Sequence, residues 1–441
     1  MPIATSPKLK VAIVGAGPGG LATTIQFRRL DNVEVQVFDQ ARELREVGAG
    51  ISINDNTWRL LQDLEAADAL EQFTSRSEKG VVDSQHRNGR TGELLAESVH
   101  TGHTDKPPRS RIERYKLQNA LLSRLPKGLI QLSKKLASIA ETDKGVFLTF
   151  TDSITAGPFD LVVGADGIRS AVRQHIFPDH HLSYTGKVAY RVLIPQEKVA
   201  HIPDVPKASV FWHTPTTHVY TCPLDNGLFE IATRAIEDEE YGSKVSWGRT
   251  VTKDRVVPHY EGYCDTIRAV IDAPDEWLEF AIFGGPRLLG SVTSNGRIVL
   301  IGDAAHPLSG AFGSGAAFAF EDAYILKHAL EYAQEKGKST TYALDLFDSI
   351  RSPRYEGLYE VLDRGLDNVK DVKSQTLPPD EHVSEVIKRN WKGGEEGGWI
   401  YGYNIKDVWA ERKAVEDAKL AKVPLPTVSH AEQVATVTVS A

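Results

Sequence analysis

The sequence predicts an α/β fold in which separated parts of the chain build one parallel sheet. This sheet carries an inserted, mainly β domain and a helical C-terminal segment. Glycine-rich segments at residues 15–20, 164–170 and 302–307 each follow an apolar run of the kind that forms a buried parallel strand. Consecutive runs of β-branched and aromatic residues between 181 and 284 predict the inserted sheet.

The first glycine-rich segment has the spacing of a dinucleotide-binding turn. Gly15, Gly17 and Gly20 form a G-x-G-x-x-G pattern between a strand-like and a helix-like run. The first glycine permits the tight turn, the second lets the backbone approach a pyrophosphate, and the third lets helix pack on strand. A second strand, residues 33–38, leads to Asp39, about 20 residues on, where a carboxylate commonly binds an adenosine ribose. This Rossmann-like unit predicts bound NAD or FAD without distinguishing them.

The two later segments favour FAD. The run 159–163 leads into Gly164, and the run 297–301 leads into Gly302 and Asp303. Open α/β sheets bind ligands at the carboxyl ends of their strands. There the Asp303 carboxylate would accept hydrogen bonds from a ribityl hydroxyl.

A glycine-rich turn then enters a predicted helix at about residues 317–336. It contains Gly313, Ser314 and Gly315. Such a turn presents backbone N–H groups to an electron-rich ligand edge. For a flavin, that edge would be N1–C2=O, which gains negative charge on reduction.

Together these motifs resemble the single-component (group A) FAD-dependent aromatic monooxygenases, and most of all their salicylate hydroxylase-like branch. The resemblance covers about residues 8–370. It implies that Gly50, in the segment 46–51, lies beside the isoalloxazine and that Arg114 contacts the ribityl–phosphate region. It also assigns Asp166 to FAD and the nicotinamide donor. Further matching segments are Gly302-Asp303, Glu321-Asp322-Ala323 and, as in fungal members, the segment 399–403.

One position departs from the family pattern. Relatives usually carry a proline seven residues after the motif aspartate, where this chain has Gly310, and a proline stands instead at Pro307. We therefore expect a different turn beside the oxygen-reaction side of the flavin.

Composition limits the class of protein. The 441 residues are 41% hydrophobic and 25% charged, with a net charge of −8 and no basic run, which argues against a nucleic-acid partner. Two cysteines, Cys222 and Cys264, are too few for a disulfide framework and lack metal-ligand spacing, so we expect a reduced, cytoplasmic protein without metal. No signal peptide or integral membrane segment is evident. Whether the protein is a monomer or a homodimer stays open.

The predicted domains are discontinuous. Residues 1–180 and 285–370 form the FAD-binding domain, and residues 181–284 form the substrate-binding β-sheet domain, to which strands from about 81–113 contribute. Residues 371–422 form a C-terminal helical segment. Residues 423–441 are polar and poor in large apolar side chains, which predicts disorder.

The candidate catalytic residues are Arg191, Tyr220 and His218, all on predicted strands of the inserted sheet. Arg191 could bind a carboxylate or phenolate bidentately, or form a surface salt bridge. Tyr220 could donate to a phenolate, or serve as core. His218, like His213, could be a pocket base or an ordinary strand histidine. We expect His306 to support the turn after the Gly302-Asp303 motif rather than to transfer protons.

The resemblance implies a small aromatic substrate and O₂ as reactants. NADH or NADPH, bound transiently, would reduce FAD, and a flavin C4a-hydroperoxide would hydroxylate a phenolic or aromatic acid, with decarboxylation if the attacked carbon bears a carboxylate. The alternatives are a tailoring monooxygenase that epoxidises or dearomatises a larger secondary metabolite, a flavoprotein reductase, and a non-enzymatic FAD-binding module.

Overall fold

The structure is a computed structural model. It describes residues 8–44, 50–73, 82–99, 110–224, 226–242, 244–245, 248–288, 290–293, 295–308, 311–391 and 395–421. Residues 46–49 of the predicted flavin segment, Gly310 and the tail 423–441 lie outside these residues. Two units are recognised, residues 1–403 and 404–441, and the second contributes helix α12 (Ile405–Ala421), which we describe by itself.

The first 180 residues combine strands with helices, and several of the strands follow one another without a helix between them. Their elements are β1 (Leu9–Val14), α1 (Pro18–Phe27), β2 (Val33–Phe38), β3 (Gly50–Ile53), α2 (Asp55–Asp63), β4 (Val82–Asn88), β5 (Leu94–Val99), β6 (Ser110–Glu113), α3 (Arg114–Leu122), β7 (Ile130–Gln131), β8 (Leu136–Thr142), β9 (Gly145–Phe150), β10 (Thr155–Phe159), β11 (Leu161–Gly164) and α4 (Ala171–Ile176).

The middle of the chain is mainly strand, and the last part of the first unit is mainly helix. The middle elements are β12 (Ser183–Pro195), β13 (Ser209–His213), β14 (His218–Pro223), β15 (Leu228–Ile236), α5 (Glu239–Gly242), β16 (Arg249–Thr252), α6 (Lys253–Val256), α7 (Asp265–Asp272) and β17 (Glu276–Gly284). The last elements are β18 (Ile298–Leu300), α8 (Gly315–Glu335), α9 (Thr340–Ser374), α10 (Pro379–Asn390) and α11 (Glu395–Tyr401).

A parallel sheet in the order β18-β11-β1-β2-β7 brings the glycine-rich segments to one edge. Val14 at the end of β1 is in register with Phe38 on one side and Gly164 on the other, and Gly164 pairs with Leu300. Because parallel strands end at the same edge, the three predicted turns and Asp39 leave the sheet together. This confirms the predicted α/β arrangement.

A second, eight-stranded sheet runs in the order β16-β17-β12-β15-β14-β13-β4-β5. Its strands β4 and β5 come from residues 82–99, and β4 pairs with β13. One face is apolar and packs around Tyr190, Trp212 and Trp277. Since side chains alternate along a strand, the other face is available for a ligand site.

One predicted strand, residues 159–163, is divided in the structure. Phe159 ends β10 in an antiparallel sheet with β9 and β8, and β11 begins at Leu161 in the parallel sheet. Asp160, between them, accepts a hydrogen bond from the Lys10 N–H at 2.8 Å. The apolar run thus serves two sheets, which a hydrophobic pattern alone does not distinguish.

A buried ionic cluster joins α8 to α9. Arg351, 1% exposed, lies 2.7 Å from Asp322 and 2.9 Å from Glu321. Burial opposes the charged guanidinium, but the two carboxylates outweigh it and raise the pKa of Arg351. The Tyr355 hydroxyl and the Gly302 N–H both donate to Asp322, at 2.9 and 2.8 Å.

We expect Arg351→Met to lower the free energy of unfolding by about 3–5 kcal/mol, because it leaves Asp322 buried without its cation and removes one of the two cations beside Glu321. Urea denaturation of the holoprotein measures this loss. Lys370→Ala is the control, since Lys370 and Asp367 are 76% and 71% exposed and such pairs contribute at most about 1 kcal/mol. Similar losses in both variants would contradict the structural role of the cluster.

Candidate active site

The first glycine turn is built around close backbone contacts. Gly15 has φ +104°, and a side chain there would overlap the carbonyl of Ala165. A side chain at Gly20 would overlap the carbonyl of Gly15. At Gly17, in contrast, a Cβ would meet nothing within 4 Å. Gly15 and Gly20 therefore serve packing within the protein, and Gly17 leaves open space where a pyrophosphate could approach the N-terminus of α1.

Asp39 lies beside this turn at the end of β2. One carboxylate oxygen accepts a hydrogen bond from the Ala16 N–H at 2.6 Å and the other from the Ala41 N–H at 2.7 Å. The side chain is half-buried. Asp39 is thus fixed next to the glycine turn, in the position that a ribose-binding carboxylate requires.

The Asp166 carboxylate is bound by the first residues of helix α4, which begins five residues further along the chain. Its carboxylate accepts hydrogen bonds from the Ser170 hydroxyl at 2.5 Å and from the N–H groups of Ala171 and Val172 at 2.7 and 3.2 Å. Burial raises the pKa of Asp166, and these hydrogen bonds oppose the shift. In this structure the Asp166 carboxylate satisfies the N-terminus of α4, while its backbone lies against Gly15.

Asp303 follows Gly302, which has φ +55°. The residue is exposed at the surface, yet the surrounding protein desolvates its carboxylate. This desolvation raises the pKa of Asp303 against the opposing charges of Arg114 and Arg173. Arg173, 3% exposed, donates to the carbonyls of Asp303 and Ala304 at 3.2 and 2.9 Å and so holds the turn.

The third glycine turn lies next to Asp303. A Cβ on Gly315, the first residue of α8, would be 3.8 Å from the Asp303 carboxylate. Gly313 has φ +61°, and a Cβ there would be 3.8 Å from the Ser52 hydroxyl. Ser314 is buried and its hydroxyl accepts a hydrogen bond from Asn54 at 2.8 Å. The turn therefore lies between the Asp303 turn and strand β3.

A buried ion pair anchors β3 to the inserted sheet. Glu230, 1% exposed, pairs with Arg111 and accepts the Gly50 N–H at 3.0 Å. Arg111 also donates to the Ser52 hydroxyl and the Gly50 carbonyl, at 2.8 and 3.1 Å. Burial opposes ionisation of Glu230, but Arg111 outweighs it and lowers the Glu230 pKa. This pair could not be predicted from the sequence, because its members are 119 residues apart and belong to no motif.

Arg191 and Tyr220 share the side of the inserted sheet that faces away from its apolar core. Ala232 pairs with Arg191 on one side and Tyr220 on the other, so all three point to the same face. His218, two residues before Tyr220 on β14, also lies on this face. Tyr190 points the other way, into the apolar core. The three predicted catalytic residues are therefore on one surface.

Arg191 contributes positive charge to this surface. It is half-buried, and its guanidinium lies 5.8 Å from the ring centre of Phe280. Burial, then the charges of Arg234, Arg111 and Arg114, lower the pKa of Arg191 to about 10, with Glu230 opposing. Within the described residues Arg191 has no hydrogen bond or ion pair.

Tyr220 and His218 are both neutral near pH 7. The Tyr220 ring lies 5.0 Å from the Arg111 guanidinium, and its hydroxyl donates to Ser209 at 3.3 Å. Burial raises the Tyr220 pKa, with Arg111 opposing. Burial, Arg234 and Lys187 lower the pKa of His218 to about 4. Tyr220 is thus suited to be a pocket wall, and His218 to accept a hydrogen bond.

An aromatic cluster extends this face beyond Tyr220. The ring centre of His86 lies 5.2 Å from that of Phe211, on which it stacks, and 4.2 Å from that of Trp391. The His86 ring also forms a 2.8 Å hydrogen bond to the ring of His213. Burial lowers the pKa of His86 to about 4. His213 was a candidate from its sequence, but His86 and Trp391 were not, because they reach the face from β4 and from the end of α10.

His306 lies away from this surface. His306 is 8% exposed, and its ring stacks on that of Tyr355 with 3.3 Å between the ring centres. Its backbone N–H donates to the Gly302 carbonyl at 2.8 Å. Burial, with Arg351, lowers its pKa well below the usual value. A neutral, stacked imidazole supports the turn, in line with the expectation that it braces this segment.

The FAD binding domain family model matches residues 8–361. The chain belongs to this family. It is 29% identical over 371 residues to a salicylate hydroxylase of Pseudomonas putida, covering 78% of this chain and 82% of the relative. It is 32% identical over 350 residues to the FAD-dependent monooxygenase eupB of Phoma sp, covering 74% of this chain and 77% of the relative. The protein is an FAD-dependent monooxygenase, as the motifs predicted.

Solved structures confirm the fold. A salicylate hydroxylase substrate complex superposes with a TM-score of 0.72 at 22% identity, covering 92% of this chain and 97% of that one. The structure of CtdE in complex with FAD and substrate 4 superposes with a TM-score of 0.74 at 19% identity, covering 94% of this chain and 100% of that one. Among the helices of the described residues, none has the length and apolarity required to cross a membrane.

The described residues fit FAD. The open space at Gly17 beside Asp39 suits the pyrophosphate and adenosine ribose. Asp303, next to the Gly313–Gly315 turn, offers a carboxylate and backbone N–H groups for the flavin half. A Cβ at Gly17 would enter the open space proposed for the cofactor, whereas one at Gly20 would overlap the backbone of Gly15.

We expect Gly17→Ala to leave the stability of the apoprotein nearly unchanged and to weaken FAD binding at least about tenfold. Its φ of −69° suits alanine and its Cβ would occupy only the cofactor space. Gly20→Ala is the contrasting variant, since its Cβ would overlap Gly15 and destabilise the protein itself. Apoprotein melting and FAD titration test both, and wild-type FAD affinity in Gly17→Ala would contradict the assignment.

Proposed function

We propose that this monooxygenase uses NADH or NADPH and O₂ to hydroxylate a small aromatic carboxylic acid that carries a phenolic hydroxyl. The observation that carries the proposal is Arg191, a half-buried cation on the ligand-facing sheet with no anionic partner among the described residues. The charges of Arg234, Arg111 and Arg114 lower the pKa of Arg191, and the Glu230 carboxylate opposes them. An aromatic carboxylate bound by Arg191 would offset these positive charges.

The relatives support an aromatic acid. Besides the salicylate hydroxylase, the chain is 28% identical over 414 residues to a 3-amino-4-hydroxybenzoate 2-monooxygenase, PtmB3, of Streptomyces platensis, covering 90% of this chain and 97% of the relative. Both named substrates carry a carboxylate and a phenolic hydroxyl on one ring. Whether a carboxylate is lost depends on which carbon faces the flavin, and we propose hydroxylation with or without decarboxylation.

FAD supplies the activation of O₂ once NAD(P)H has reduced it, and the protein supplies orientation and a dry site. Arg191 would hold the substrate carboxylate. The Tyr220 ring, fixed by Arg111, would form a wall against the aromatic ring. With a pKa of about 4, His218 would accept a hydrogen bond from the phenol without taking its proton permanently. Asp166 would act on cofactors through its backbone, since α4 occupies its carboxylate.

A second candidate is a tailoring monooxygenase that acts on a larger aromatic metabolite. The specific observation that favours it is the aromatic cluster of His86, Phe211 and Trp391, which continues the sheet face beyond Tyr220. Oxygen consumption matched to product hydroxylation separates both monooxygenase proposals from a flavoprotein reductase.

The domain division predicted from the sequence remains our proposal: residues 1–180 and 285–370 for FAD, 181–284 with strands from 81–113 for the substrate, and 371–422 as the C-terminal helical segment. We also propose a cytoplasmic protein, supported by two free cysteines, Cys222 and Cys264. A monomer and a homodimer are distinguished by light scattering.

A substrate screen tests the proposed function. Phenols and benzoates with and without a carboxylate are added to the FAD-loaded protein, and NAD(P)H oxidation and ¹⁸O₂ incorporation are measured. We expect hydroxylated benzoates to accelerate NAD(P)H oxidation and to take up one ¹⁸O atom. Acceleration only by uncarboxylated or much larger aromatics would favour the tailoring alternative and contradict the role of Arg191.

We expect Arg191→Ala to raise KM for the carboxylated substrate by about 10–100-fold, because the substitution removes one charge-assisted hydrogen-bonded pair with the substrate. FAD content should stay at the wild-type level. Arg191→Lys is the control, because it keeps the charge but not the bidentate geometry, and it should recover part of the loss. Parallel loss of FAD and of substrate affinity in Arg191→Ala would show that Arg191 is structural.

A further inference from the structure

The turn before α8, residues 311–315, has an unusual backbone; we call it the flavin loop. Phe312 has φ +61° and ψ −9°, and Gly313 also has φ +61°. A side chain with a Cβ rarely adopts this left-handed conformation, so other contacts must hold Phe312 in it. Turns of this kind direct N–H groups into a concavity that suits an electron-rich atom.

The carbonyl of Phe312 is held by two hydroxyl groups. Tyr401, 89 residues further along the chain, donates to it at 2.9 Å, and Ser314 donates to it at 3.3 Å. The N–H and C=O of one trans peptide point in opposite directions. The hydroxyl of Tyr401 therefore fixes the Phe312–Gly313 peptide with its N–H directed away from Tyr401.

The segment that carries Tyr401 is itself firmly anchored. Arg354, 4% exposed, donates to the carbonyls of Ile400 and Trp399 at 2.8 and 3.2 Å. Its guanidinium lies 3.6 Å from Glu321 and 4.5 Å from the Trp399 ring. The position of the Tyr401 hydroxyl is thus determined by α8 and α9, the helices that also hold the Asp303 turn.

Apolar packing orients the rings at this contact. Leu308, Phe318, Tyr355, Leu358 and Ile400 form a buried cluster. Phe312 and Tyr401 pack against it from the partly exposed side. The rings are therefore held whether or not the Tyr401 hydroxyl is present, and the hydroxyl adds one directional bond to the loop.

We propose that Tyr401 is a positioning residue for the flavin: its hydroxyl orients the flavin loop so that the loop presents N–H groups to the cofactor. This proposal rests on the assignment of residues 313–315 to the flavin half of FAD. It does not depend on the aromatic substrate. The segment after α10 thereby acts on the cofactor from outside the glycine motifs.

Tyr401→Phe tests the proposal, because it removes the hydroxyl and keeps the packed ring. We expect the dissociation constant for FAD, measured by titration of the apoprotein, to rise about 2–10-fold, the range for one lost hydrogen bond. We also expect the visible absorption bands of bound FAD to shift. The flavin reduction potential should become more negative, since fewer oriented N–H groups stabilise the added charge.

Tyr359→Phe is the matched control. Tyr359 packs against the same cluster, and within the described residues its hydroxyl forms no hydrogen bond. It should retain the wild-type FAD affinity, spectrum and potential. Wild-type values in Tyr401→Phe, or equal changes in both variants, would overturn the proposal. So would a Tyr401→Phe protein whose melting temperature falls while its FAD affinity and spectrum stay unchanged. All these measurements are made without an aromatic substrate. Failure of the Tyr401 proposal is therefore distinguishable from failure of the proposed aromatic-acid hydroxylation.

Discussion

The cofactor edge of this protein depends on one buried carboxylate. Asp322 lies on α8 and binds the Gly302 N–H, the Tyr355 hydroxyl and the Arg351 guanidinium at once. It therefore joins the turn that precedes Asp303 to the helix whose first residue is Gly315. An unpaired carboxylate at this depth would be very costly, and the interaction with Arg351 is what permits it. The positions of both flavin-side turns follow from this three-way contact.

A second buried carboxylate sets the charge of the substrate side. Glu230 binds Arg111 and the backbone of Gly50, and so ties the strand beside the proposed flavin site to the inserted sheet. It compensates the Arg111 guanidinium, whereas Arg191, on the same face of the sheet, has no ion pair within the described residues. One side of the sheet is thus packed on Tyr190 and Trp277, and the other carries the side chains for which we propose a role in substrate binding.

The sequence was sufficient for the parallel sheet, the glycine turns and Asp39, because each depends on residues close together in the chain. It also placed Arg191 and Tyr220 on strands of one sheet. It did not reveal Glu230–Arg111, His86–His213 or Tyr401–Phe312, whose partners are 119, 127 and 89 residues apart. Such contacts follow from tertiary packing and leave no local pattern. The occupied carboxylate of Asp166 was equally hidden, since the motif identifies the residue but not its partners.

The order of the strands in the parallel sheet has a consequence for folding. Val11 on β1 pairs with Leu161 on β11, and β11 pairs in turn with β18 near residue 299. The inserted sheet, in contrast, contains the antiparallel strands β13, β14 and β15, each of which pairs with the next strand along the chain. Since distant pairings close slowly, these three strands should pair before the nucleotide-binding edge is complete. Newly made chains would then pass through a stage in which β14 already lies in a sheet, while the edge that retains the prosthetic group is still unformed.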